Sequence, residues 1–235
     1  MSRLQSSTLA LLIVLSGVTE VSAQSSRKPI PIPGWGELMN PNPSCKHKIL
    51  ESGLKLTLPA AVHDLSVEIG RMNAPRVLRP VKGDFTIQVR VAGVSHPGNQ
   101  SAIPGRRPFC SAGILVWQNE RNYIRLERAE LLNGNSRSTY ASWELRKDGK
   151  FARAGRTDEL PLSGAETWLR ISRTGETFTG AASPDGQQWS SLSPITLGGN
   201  DELMAGILAI NDTRVPFHPQ FSELSLQQTV ATSNP

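Results

Sequence analysis

The sequence predicts an all-β chain, a sandwich or barrel of short antiparallel strands. Three observations lead there. Apolar and polar residues alternate over short runs, as in Phe85-Thr86-Ile87-Gln88-Val89-Arg90-Val91 and Leu169-Arg170-Ile171-Ser172, the period-two signature of a half-buried strand. Turn-forming pairs such as Ser52-Gly53, Asp148-Gly149 and Thr174-Gly175 punctuate those runs, supplying the backbone freedom that tight connections need. No segment of ten or more residues sustains a helical period, which leaves regularly spaced strands as the organising element.

The elements follow in order. Arg3, the apolar run Thr8 to Leu15 and the small-residue site Val21-Ser22-Ala23 read as an export leader over residues 1–23. The apolar run is far below the ~20 residues needed to cross a bilayer, so no retained membrane anchor is expected. Residues 24–44 are a Pro-rich lead-in, expected to be extended. Strands are expected near 47–50, 54–58, 76–80, 84–92, 112–118, 122–128, 139–146, 150–154, 167–173, 176–183, 203–210 and 220–227. They make one domain over residues 45–228, followed by a tail over 229–235, and a chain of this length can bury a core without staples.

One segment carries more than alternation. Trp168-Leu169-Arg170-Ile171-Ser172-Arg173 turns at Thr174-Gly175 and returns with Phe178, Gly180 and Ala182 on one face. The turn Ser183-Pro184-Asp185-Gly186 then leads to Trp189, read as a core anchor. The pattern W-L-R-x-x-R-x-G-x-x-F-x-G-x-x-S-x-D-G-x-x-W resembles the concanavalin A-like lectin/glucanase domains. Within them it is most similar to the accessory modules of bacterial β-xylosidases and to the uncharacterised "regulation of enolase" type family. Ala112 to Arg128, with Asn122-Tyr123 at its centre, and Asn73-Ala74-Pro75-Arg76-Val77-Leu78 followed by Val81 to Phe85 resemble the same group. The resemblance spans residues 45–228 and implies a two-sheet jelly roll whose concave sheet is the usual carbohydrate cleft. A shared fold does not by itself assign a ligand.

Parity places a candidate site. With Asn119-Glu120-Arg121-Asn122 as a turn, Gln118 faces Tyr123, Val116 faces Arg125 and Ile114 faces Glu127. Leu115 and Trp117 then share the apolar inner face with Ile124 and Leu126, while Tyr123, Arg125 and Glu127 point to solvent. Gln88 and Arg90 alternate outward from Ile87 and Val89, and Tyr140, Glu144 and Arg146 alternate outward from Trp143 and Leu145. Together these nine residues are expected to form one exposed glycan-binding face. Aromatic plates suit sugar C–H faces, and carboxylate and guanidinium groups suit paired hydroxyls. Cross-strand charge pairing, Glu144 with Arg153 for instance, is the purely structural reading of the same pattern.

Catalysis is not expected. Glycoside hydrolysis takes two carboxyl groups in different protonation states, and the E-x-D-x-x-E strand of hydrolytic superfamily members is absent. Glu127 and Glu144 each have an Arg two residues away, which favours the ionised form. No catalytic residue is therefore named, and His47, His63, His96 and His218 show no metal spacing. No cofactor is expected, although the oxygen-rich Asn200-Asp201-Glu202 and Asn211-Asp212 could hold structural Ca²⁺.

The net charge of +5 suits anionic surfaces. The basic residues are scattered rather than blocked, so nucleic acid is not the expected partner. Cys45 and Cys110 are expected to pair as a disulfide in an oxidising compartment. The function these readings point to is that of a secreted or envelope protein, periplasmic or outside the cell. It would bind a glycan or cell-envelope polysaccharide without chemistry. A protein-binding or envelope structural module and a glycan-active hydrolase are the alternatives.

Overall fold

The computed structural model describes residues 28–39, 42–94, 97–199 and 202–228. The expected leader and tail lie outside the described residues, as do His96, Asn200 and Asp201. In chain order the strands are β1 (Ile30–Ile32), β2 (Gly36–Met39), β3 (Lys46–Leu50), β4 (Gly53–Thr57), β5 (Leu65–Ser66), β6 (Arg71–Met72), β7 (Arg76–Lys82), β8 (Phe85–Ala92) and β9 (Phe109–Asn119). They continue as β10 (Asn122–Asn133), β11 (Ser136–Lys147), β12 (Lys150–Arg153), β13 (Glu166–Thr174), β14 (Thr177–Ser183), β15 (Ser190–Ser191), β16 (Ile195–Thr196), β17 (Glu202–Asn211) and β18 (Gln220–Gln228). Among the described residues a 3-10 turn at Val67–Ile69 is the one helical element, and no helix is long and apolar enough to cross a membrane.

Two sheets stack into an antiparallel sandwich. The front sheet runs β1-β2-β7-β17-β9-β10-β11-β12, and the back sheet runs β15-β14-β13-β8-β18-β4-β3 with β16 against β14. Alternation decides what lies between them. Ile114, Val116, Leu126 and Trp143 from the front meet Ile87, Val89, Leu169 and Phe178 from the back, all fully buried. Gly180 is under the Trp143 ring, where a Cβ would come within 3.1 Å. Within the Pro-rich lead-in, β1 and β2 add to the front sheet through Leu38↔Val77.

The front sheet carries a second apolar layer on its outer side. Leu115, Trp117, Tyr123, Leu208 and Ile210 pack there against Leu65, Ala74 and Leu78. The cover is the segment holding β5, the 3-10 turn and β6. It is docked on β17 by a His63↔Asn211 bridge and closed on itself by Ala74 N–H donating to the Asp64 carbonyl at 3.0 Å.

Three expectations about the core are corrected here. Trp117 lies in the outer layer, because β9 pairs with β10 as Asn119↔Asn122 and then Trp117↔Tyr123. Gln118 is the extra residue of a bulge, and one extra residue reverses the parity of a strand. Trp189 is half-buried on the outer side of the back sheet, where the Arg170 guanidinium lies 3.6 Å from its ring. No disulfide joins Cys45 and Cys110; both are buried thiols. Cys45 Sγ lies 3.6 Å from His63 Nδ1, and burial raises its pKa to about 11.

Candidate functional site

β10 and β11 bring the charged residues together. Their register sets Tyr123 opposite Arg146, Arg125 opposite Glu144 and Glu127 opposite Ser142, so side chains two apart share the front sheet's outer face. That face was expected to be open to solvent, and the structure corrects this. Tyr123 and Glu127 are fully buried, and Arg125, Tyr140, Glu144 and Arg146 are nearly so. The cover segment closes over Tyr123, whose Oη donates to the Leu65 carbonyl at 2.9 Å and accepts from Val67 N–H at 3.2 Å.

The remaining three expected residues are elsewhere. Gln88 and Arg90 lie on the outer face of the back sheet, the opposite side of the sandwich. Gln88 accepts from Arg170 at 2.8 Å, and Arg90 pairs with Glu166 and Glu223. Gln118, displaced by the bulge, donates to the Gly198 carbonyl at 3.3 Å. Glu144 does not pair with Arg153, which instead binds Glu159 and the Trp143 carbonyl.

The buried charges form one network. Arg125 donates to Glu144 and, at 2.9 Å, to the Leu65 carbonyl; Glu127 and Asp64 lie 3.4 and 3.8 Å from its guanidinium. Arg146 pairs with Glu144, reaches Glu68 at 3.1 Å and lies 3.9 Å from the Phe151 ring. Burial alone would raise Glu144, but Arg125 and Arg146 outweigh it and hold the carboxyl down to about 2. Glu127 goes the other way. Burial and the neighbouring Glu144 push it up to about 7, against the pull of Arg125 and a 2.8 Å hydrogen bond from Ser111 Oγ. Glu127 fits because Gly113 is opposite it in β9, where a Cβ would come within 2.0 Å of the Leu126 carbonyl oxygen.

Above part of this network the cover stops short and leaves a cleft of about 550 Å³. Asp64, Ser66, Glu68 and Ile69 line it from the cover, and Gly105, Arg106 and Arg107 from the loop before β9. Arg125, Leu131, Glu144 and Arg146 line it from the sheet, with Phe109, Phe151 and Asp212 completing it. Phe151 is 45 % exposed. Burial and repulsion from Asp64 push the Asp212 carboxyl up to about 7.

Several of these residues escaped the sequence reading. Phe151 was within reach, because a two-residue Asp148-Gly149 turn sets Arg146 opposite it. Asp64 and Asp212 are far apart in sequence, and no local pattern shows that a His63↔Asn211 bridge carries both to one cleft. Among the described residues no group of three or more His, Cys, Asp or Glu is placed to hold a metal ion.

Comparison with known proteins gives the fold a family. The family described as "Protein of unknown function (DUF1349)" matches residues 64–229. No curated protein matches the chain. Among solved structures, a functionally unknown protein from Saccharomyces cerevisiae is similar at 19% identity and a TM-score of 0.64, over 84% of this chain and 98% of that one. The Bacteroides ovatus xyloglucan PUL GH43B protein is similar at 14% identity and a TM-score of 0.55, over 78% of this chain and 34% of its own. The xylan β-1,4-xylosidase of Bacillus halodurans C-125 is similar at 10% identity and a TM-score of 0.50, over 80% of this chain and 39% of its own. The chain thus spans little more than a third of the length of those two proteins, and at these identities the likeness concerns the fold alone.

Proposed function

We propose that this chain, which belongs to the DUF1349 family of proteins of unknown function and carries a concanavalin A-like sandwich, binds carbohydrate in the front-sheet cleft without catalysing a reaction. The cleft itself is the observation that supports this most. Its floor is a network of ion pairs among Arg125, Arg146, Glu144, Glu68 and Asp64, so its charged groups are held in place before a ligand arrives. Phe151 adds an exposed apolar ring beside the Arg146 guanidinium, the pairing of plate and polar group that a sugar ring needs. Export, read from residues 1–23, would put that cleft in contact with cell-surface or environmental glycans.

Glu127 and Glu144 are split in protonation as a hydrolytic pair would be, but their placement weighs against hydrolysis. One holds a proton near neutrality and the other does not, as an acid and its partner must. Glu127, however, is sealed and takes no part in lining the cleft, so it cannot protonate a leaving group there.

Affinity electrophoresis of the mature chain against a polysaccharide panel tests the reading. At least one polysaccharide should retard it, and Phe151→Ala should weaken that binding about tenfold, the loss of ~1.4 kcal/mol typical of an aromatic contact. Retardation by none, or equal retardation of Phe151→Ala, would overturn it.

A further inference from the structure

Two buried side-chain atoms of cleft-lining residues have no hydrogen-bond partner among the described residues: Arg125 Nε, which lies 3.4 Å from the Glu127 carboxylate, and Asp212 Oδ1. Asp212 is 6% exposed, and its Oδ1 is buried without a hydrogen bond, yet the residue lines the cleft. Its backbone, by contrast, is fully employed. The N–H donates to the Phe109 carbonyl at 2.9 Å, and the carbonyl accepts from Ala102 N–H at 2.8 Å and from Ser101 Oγ at 3.1 Å. The main chain therefore fixes where this carboxyl sits, and its unpartnered oxygen takes no part in holding the loop. A buried acceptor left unpaired costs ~1–3 kcal/mol, a cost that a donor from outside removes. The terminal torsion of Asp is broad and two-fold, so either oxygen can be turned toward the cleft.

Resting on the reading of the cleft as a glycan site, we infer that Asp212 is its specificity-determining acceptor, taking a hydroxyl hydrogen from an uncharged sugar ring. Asp64, Arg71, Arg106 and Arg125 are the charged groups that act on its carboxyl. They are mixed in sign, so a ligand charge of either sign meets repulsion along with attraction. A uronic carboxylate at this position meets Asp64 and Asp212 itself. The ammonium of an amino sugar meets three guanidiniums. A neutral hydroxyl brings no charge to desolvate and supplies the missing donor.

The proton balance of this contact is measurable. A hydroxyl donor favours the ionised carboxylate over the protonated one, and burial with Asp64 holds the Asp212 carboxyl up at about 7. Binding should therefore tighten about tenfold from pH 6 to pH 8 and release a proton near neutrality.

Affinity electrophoresis at pH 6 and pH 8 compares wild type, Asp212→Asn and Phe151→Ala in gels holding neutral polysaccharides, polygalacturonate or glycol chitosan. The expected result is Phe151-dependent retardation by a neutral polysaccharide, stronger at pH 8. Asp212→Asn should bind at least tenfold more weakly at pH 8 and show no change with pH. Its circular dichroism should match wild type, since the replaced oxygen makes no internal hydrogen bond. Retardation that needs Phe151 but is unaltered by Asp212→Asn would overturn this inference alone. So would Phe151-dependent retardation stronger for polygalacturonate or glycol chitosan. Reducing-sugar release abolished by Asp212→Asn would make the residue an acid rather than an acceptor. Absence of Phe151-dependent binding to any polysaccharide would remove the cleft reading, and this inference with it.

Discussion

Arg125 answers three carboxylates from a position the solvent hardly reaches. Removing one partner of a buried ion network is costly because the rest stay buried and unpaired. Arg125→Met should lower stability by about 3–5 kcal/mol in denaturant titration; a loss under 1 kcal/mol would mean that the network contributes little. Asp212 and Glu127 give the opposite pH behaviour to an ordinary surface acid. Their carboxyls are raised to about 7 in the fold from ~4 in the unfolded chain. The stability they allow is complete below about pH 4 and is lost as pH rises through 7. Glu144, lowered to about 2, instead supports the fold above its unfolded value and loses that support only as pH falls toward 2. Asp212→Asn should flatten the decline between pH 4 and 7, gaining on the order of 3 kcal/mol relative to wild type at pH 8. Parallel thermal melts of both proteins across that window would check it, and identical pH profiles would contradict it. At this scale the sequence revealed which residues carry charge and that each Glu has an Arg neighbour. It could not show which carboxyl the guanidiniums favour, because that depends on burial.

Pairing register, rather than strand identity, is where reading by alternation stopped. Each expected strand from 47–50 to 220–227 has an observed counterpart within a few residues, because period two survives in any sheet. The β9–β10 hairpin shows what alternation misses. In β9 both faces carry large apolar residues, Ile114 and Val116 on one and Leu115 and Trp117 on the other, so that strand alone does not say which set meets the back sheet. Gln118, left over in the bulge, turned Trp117 outward onto Tyr123, with ring centroids 5.3 Å apart. The same hairpin depends on Gly113, where any Cβ meets the Leu126 carbonyl. Gly113→Ala should cost about 1–3 kcal/mol by overpacking, read as a lowered urea midpoint; an unchanged midpoint would show that β9 can move away from β10. The short strands β1 and β2 were hidden for another reason. Proline-rich segments give no alternation to read, and their pairing to β7 is tertiary.

Across the whole molecule the two outer faces differ. The back sheet's outer face holds half-exposed Trp168 and Trp189, each stacked with an arginine. The front sheet's outer face instead carries the cover over Leu115, Trp117 and Tyr123, with the cleft beside it. Strand alternation and turns made the sandwich legible, but alternation does not tell which sheet a strand joins. That is why Gln88 and Arg90 were grouped with residues on the far side of the core. The cover was illegible because its elements are two-residue strands and a single 3-10 turn, too short for any periodicity. On the proposed reading, ligand enters between this cover and the loop before β9. Hydrogen exchange measured by mass spectrometry, with and without a retarding polysaccharide's oligosaccharide, tests that most directly. Slowed exchange in residues 64–72 and 101–109 is the predicted result. Protection confined to the back sheet around Trp168 and Trp189, with those two segments unchanged, would contradict it.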